Sequence, residues 1–84
     1  MKTFLITKTG PAEKPWLRTV PDDGGDQILC FPRKMSGERG TGLPKFTEKD
    51  GAKYVQGIMA RSAAHVGKDG KQYAESHILY VPGY

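Results

Sequence analysis

Residues 46–67, FTEKDGAKYVQGIMARSAAHVG, carry start, stop and period signals for one amphipathic helix, and the reading of this stretch decides the fold class. Thr47 stands where an N-cap belongs, and Asp50 follows three residues on in the manner of a capping box. Glu48 and Asp50 place negative charge in the expected first turn, and Gly67 follows the last periodic residue as a left-handed stop. At about 100° per residue, Ala52, Val55, Met59, Ser62, Ala63 and Val66 fall on one stripe, with Ile58 at its edge. Gly51 and Gly57 each cost roughly 1 kcal/mol relative to Ala inside a helix, so packing of the stripe rather than propensity must hold it. The opposite side carries Lys49, Lys53, Arg61 and Ala64, and Tyr54 and His65 stand beside Arg61 at helical spacing on a mixed flank. This flank is a candidate binding strip, against the plainer reading of a solvated face.

Strands are predicted on both sides of that stretch. Residues 2–9 alternate, with Phe4 and Ile6 on one side and Leu5 on the other needing partial cover, until Gly10, Pro11 and Pro15 break the run. Residues 16–20 form a second short strand in which Trp16, the largest apolar side chain available, is expected at least half-buried. The sequence PDDGGD at 21–26 is a dense turn signal and predicts a hairpin into residues 27–31. There Ile28 to Phe31 make the longest apolar run, as in a central strand covered on both faces or flanked by loops. Beyond the stretch, Lys68-Asp69-Gly70-Lys71 reads as a tight turn, and residues 76–81 as a last strand with His77, Leu79 and Val81 opposite Ile78 and Tyr80. The predicted order is β-β-β-α-β. It specifies an α+β two-layer sandwich, a mostly antiparallel sheet with one helix packed on it, as a single domain over residues 1–84.

Composition narrows the function classes. A chain of 84 residues buries only about 60% of its unfolded surface, which leaves room for one compact core. Thirteen basic against nine acidic side chains give +4, enough to favour polyanions but far from a histone-like excess. No run approaches the ~20 apolar residues of a membrane span, the apolar part of MKTFLITKT is too brief for a secretory signal, and the single Cys30 has no internal disulfide partner. A cytoplasmic protein that uses no membrane is the expectation. Two histidines, one cysteine and no paired carboxylates in an apolar setting supply no acid, base and nucleophile constellation, so no enzyme, metal or cofactor is expected.

The one long irregular segment is 32–44, PRKMSGERGTGLP. Arg33, Lys34, Arg39 and Lys45 flank Gly37, Gly40 and Gly42 and lead to the free N–H groups of the expected helix, an arrangement that attracts anions. No Gly-Lys-Ser/Thr follows these glycines, which excludes a Walker A loop. GERG at 37–40 has the G-x-x-G form of the KH loop, without room for the helices that flank it there. Gly40-Thr41-Gly42, Lys45, Ala52-Lys53, Ala60, Ala63 and Ala64 resemble the end of a double-stranded-RNA-binding domain over barely a third of the chain; the N-terminal helix of that family has no counterpart, and the glycine-to-Ala-Lys spacing is longer. Asp22, Asp23 and Asp26 lack the later glutamate of a calcium loop and read as a solvated turn. Trp16, Tyr73 and His77 are candidate stacking residues for bases.

Two functions follow. One is a small non-enzymatic module, monomeric or weakly dimeric and of the accessory or inhibitory kind that phages also encode, docking its basic loop and helix flank on a larger protein or nucleoprotein. The other is a domain that binds RNA or DNA directly through the same basic residues with aromatic stacking.

Overall fold

The computed structural model describes the chain except Ala63, Ala74 and Glu75 and the side chains of His65 and Tyr73. Among the described residues there is no helix, and the α+β sandwich is replaced by an all-β structure. The strands are β1 (Lys2–Thr9), β2 (Leu17–Pro21), β3 (Ile28–Lys34), β4 (Thr47–Lys49), β5 (Ala52–Ser62), β6 (His65–Val66), β7 (Gln72–Tyr73) and β8 (Ser76–Val81). β1, β2 and β3 form an antiparallel meander, β8 joins β3 in parallel, and β5 pairs antiparallel with both β8 and β1. The sheet therefore closes as a five-strand mixed barrel, with β4 outside it on β5 and β6–β7 as a separate two-stranded ribbon. Closure removes the free sheet edges that an open sandwich of this size would have left exposed.

The expected helix is a hairpin. Asp50 and Gly51 have φ of 52° and 78°, the left-handed pair that a two-residue type I′ turn requires, and they join β4 to β5. The acid read as a helix-start charge is thus the first turn residue. Val55 and Met59, four apart, share a face under both the helical and the strand period, which is why they support either reading. Gly57 decides between them. It is buried between those two residues, facing Leu79 and the Tyr80 carbonyl, and a Cβ there would lie 2.5 Å from the Tyr80 oxygen and 2.9 Å from Leu79 Cδ1. At this glycine β5 passes from pairing with β1 (residues 53–57) to pairing with β8 (residues 58–62). Gly67, read as a helix stop, instead closes the β6–β7 turn, its N–H donating to the Lys71 carbonyl at 2.8 Å. Ala63 of the predicted stripe lies outside the described residues.

Phe4, Leu17, Cys30, Val55, Leu79 and Val81 fill the barrel, with Thr19 buried among them and donating to the Ile28 carbonyl at 3.2 Å. The two ends differ. Loops 10–16 and 35–46 and residues 82–84 gather at one end, where Leu43, Phe46 and Tyr84 pack on the core as a plug. At the other end a cavity of about 570 Å³ opens between Lys2, Phe4, Ile28, Met59, Arg61 and His77. The strands read at 2–9 and 76–81 lie where the alternation put them. β3 starts one residue later and runs three residues further than predicted, and it is not covered on both faces: Leu29 and Phe31 stay 47% and 42% exposed.

Candidate functional site

Register places the outward side chains in rows across the barrel. Lys8, Arg18 and Leu29 are cross-strand partners in sequence over β1, β2 and β3. Phe31, Ile78 and Ala60 make the next row over β3, β8 and β5, and Arg33, Tyr80 and Ile58 the third. Leu29, Phe31 and Arg33 stand two apart on β3 and so share the outer face. This surface is apolar and aromatic in the middle, with Ile58 46% exposed, and cationic at its edges. Lys8 and Arg18 are like charges set opposite each other on exposed positions, an arrangement that costs stability unless an anion lies over them.

The face runs into a groove at the plugged end. This groove, about 560 Å³, is lined by Pro11, Glu13, Lys14, Trp16, Phe31, Arg33, Arg39 and Gly40 among others. Its first wall is the β1–β2 loop, pinned by the Gly10 N–H on the Trp16 carbonyl at 2.8 Å and the Lys14 N–H on the Pro11 carbonyl at 3.2 Å. The indole of Trp16 lies directly on Gly10, where any Cβ would overlap the ring. The second wall is the Gly-rich loop. Arg33 Nη1 donates to the Gly37 carbonyl at 2.9 Å, and the Gly37 and Lys34 N–H groups close a turn on the Lys34 and Glu38 carbonyls. Tyr84 lies on Gly40 and its hydroxyl donates to the Gly42 carbonyl. Burial there raises the ionisation of the Tyr84 hydroxyl above the ordinary tyrosine range.

The residues singled out from the sequence separate into groups. Trp16, Arg33 and Arg39 come together in the groove. Lys34 is exposed at the end of β3, and Lys45 lies by Thr47 and Tyr54 beside the β8 end. The helix flank of Lys49, Lys53, Tyr54 and Arg61 does not exist as a unit: Lys49 is on β4, Lys53 and Tyr54 pair with Glu48 and Thr47, and Arg61 pairs with His77 near the open end. Eight residues of extended strand separate Lys53 from Arg61, about 26 Å at 3.3 Å per residue. His77 lines the open mouth, away from Trp16 in the groove, and the side chain of Tyr73 lies outside the described residues. The expected helix N-terminus is absent, so the anion-attracting property assigned to it passes to side chains alone.

Lys8, Arg18, Leu29, Phe31 and Ile58 are not marked as site residues by the sequence. Leu29-x-Phe31-x-Arg33 against Ile28-x-Cys30-x-Pro32 is a period-two pattern that separates the outer from the inner face. The continuous apolar run masked it. Cys30, in contrast, is core: burial pushes its thiol up to about 11, with a hydrogen bond to Thr19 acting weakly the other way. Among the described residues no three of His, Cys, Asp and Glu gather as a metal site. Comparison with family models, curated proteins and solved structures gave no match.

Proposed function

We propose that this protein binds single-stranded nucleic acid without catalysis, laying the strand across the outer face of β1, β2, β3 and β8. The observation that carries the reading is the set of rows in which exposed Phe31 and partly exposed Tyr80 stand among Lys8, Arg18 and Arg33. An aromatic surface offers every base a stacking partner, and flanking cations follow the phosphates, a combination that binds strands with little sequence preference. Architecture agrees by analogy. Five-stranded barrels of the oligonucleotide/oligosaccharide-binding type use the face of strands two and three with the adjoining loops, although fold alone does not assign function. Duplex DNA, whose bases are already stacked, gains nothing from Phe31.

The test is a fluorescence-anisotropy titration with labelled oligodeoxythymidylate of about 12 nucleotides, inside the 4–16 range of such barrels, at two salt concentrations. Three cations on the path give an expected slope of log K against log salt near −2, at about −0.7 per phosphate on single strands. Phe31→Ala is exposed enough to leave folding intact and loses about 1–2 kcal/mol of binding. Binding that ignores both Phe31→Ala and Arg33→Ala, or duplex binding as tight as single-strand binding, overturns the reading. The same apolar face would serve a protein partner. Silence toward oligonucleotides at low salt, with a stoichiometric protein retained by the wild type from nuclease-treated lysate and lost by Phe31→Ala, would favour that docking function instead.

A further inference from the structure

The strand path needs only the sheet face, yet the groove beside it is built with more care than a path requires. We infer that the groove receives one nucleotide turned out of the strand, its base against Trp16 and Phe31 and its phosphate between Arg33 and Arg39, with Tyr84 as the residue that positions the second wall. The source of that nucleotide rests on the single-strand reading; the chemistry recognised is that of a nucleoside monophosphate.

Charge, shape and rigidity agree on this occupant. Lys14, Arg33 and Arg39 against Glu13 leave the lining with two net positive charges, suited to one phosphate. Trp16 and Phe31 supply two aromatic rings on the same groove, and its volume lies within the roughly 300–1,000 Å³ typical of small-molecule sites. Phe31 and Arg33 belong both to the sheet rows and to the groove lining, so a strand crossing the rows passes the groove mouth. Both walls are held before any ligand arrives. Gly10 seats the indole, and Arg39 is suspended between the turn at Lys34–Glu38 and the contact of Tyr84 with Gly40 and Gly42. Glycine at 40 is required for that contact, since a Cβ would overlap the tyrosine ring. A wall fixed in this way loses less entropy on binding than a free loop would.

Trp16 is the sole tryptophan, so its emission reports on the groove directly. Adenosine 5′-monophosphate, excited beyond its own absorption, is expected to quench that emission saturably, with inorganic phosphate and ribose 5-phosphate producing little change. Arg39→Ala is expected to weaken the monophosphate about tenfold, as for loss of one charge-assisted hydrogen bond. Tyr84→Ala and Gly40→Ala should weaken it alike, and Tyr84→Phe, which keeps the ring on Gly40, should restore most of the affinity with thermal unfolding matched across the set. No saturable quenching, equal effects of phosphate alone, or indifference to Arg39→Ala overturns the inference. In those cases oligonucleotide binding that still depends on Phe31 leaves the single-strand reading standing. Quenching by the monophosphate without oligonucleotide binding upholds the groove as a nucleotide site and removes the strand path.

Discussion

The two ends of the barrel are built from the same strands and finished differently. At one, Leu43, Phe46 and Tyr84 plug the core, and two pinned loops form a groove with arginines on its wall. At the other, Phe4, Met59 and His77 border an open cavity. The plugged end sets its aromatic and cationic side chains on a surface that the core itself supports. Tyr84 shows the connection, since it packs on the hydrophobic cluster and also carries Gly40 and Gly42. The groove geometry is thus a by-product of how a small barrel seals one end.

The largest effect is expected where the two halves of the barrel meet. Gly57→Ala puts a methyl group 2.5 Å from the Tyr80 carbonyl oxygen, a backbone atom that cannot turn aside, and should cost about 3 kcal/mol in urea unfolding. A cost below about 1 kcal/mol would mean that β5 slides freely between its two partners and that the ends are not mechanically separate.

Alkaline unfolding probes the two ends from inside the core. Cys30 pairs with Leu17 and His77, and its thiol is raised from 9.0 to about 11 by burial. Because the folded state holds this proton more tightly than the unfolded chain, its contribution is whole below pH 9 and disappears as pH climbs to about 11. The loss should reach roughly 2–3 kcal/mol relative to Cys30→Ala, whose stability lacks this dependence. If the open mouth admits water to the core, the thiol titrates near its ordinary value and the two curves run parallel.

Truncation at each end gives the smallest expected differences. Phe46→Ala removes part of the plug and should cost about 2 kcal/mol, less than a fully buried Phe because its exposure is partial. Met59→Ala at the open end should cost about 1 kcal/mol, since its cavity is already accessible. Equal costs, read from the same denaturant titrations, would break the distinction between a plugged and an open end.

Much of the fold is legible where the alternation is clean and one face is buried. Residues 2–9, with Phe4 in and Leu5 out, and residues 76–81, with Leu79 and Val81 in, declare their strands because a period of two has no helical counterpart there. In the stretch around Val55 and Met59 the helical and strand periods coincide, and the decisive signal is Asp50-Gly51 between Thr47–Lys49 and Ala52–Ser62, the strongest short-range mark of a hairpin. A capping-box reading of the same aspartate overrode it. Of the site, Trp16, Arg33 and Arg39 are identifiable from their types, but the loops that bring them together are far apart in sequence. Phe31 stayed hidden because an apolar run does not say which of its residues face inward.

Local pattern is enough for the strands at 2–9 and 76–81, the β2–β3 hairpin and the turn at 68–71, all of which depend on neighbours a few residues away. The parallel meeting of β3 and β8, the bridging of β8 and β1 by β5, and the reach of Tyr84 to Gly40 exist in the folded chain alone. These are contacts between distant segments, selected by closing the sheet around one small core, and no local pattern encodes them. Barrel closure also turned Leu29, Phe31 and Ile58 outward together, making an exposed face from residues whose composition alone would bury them.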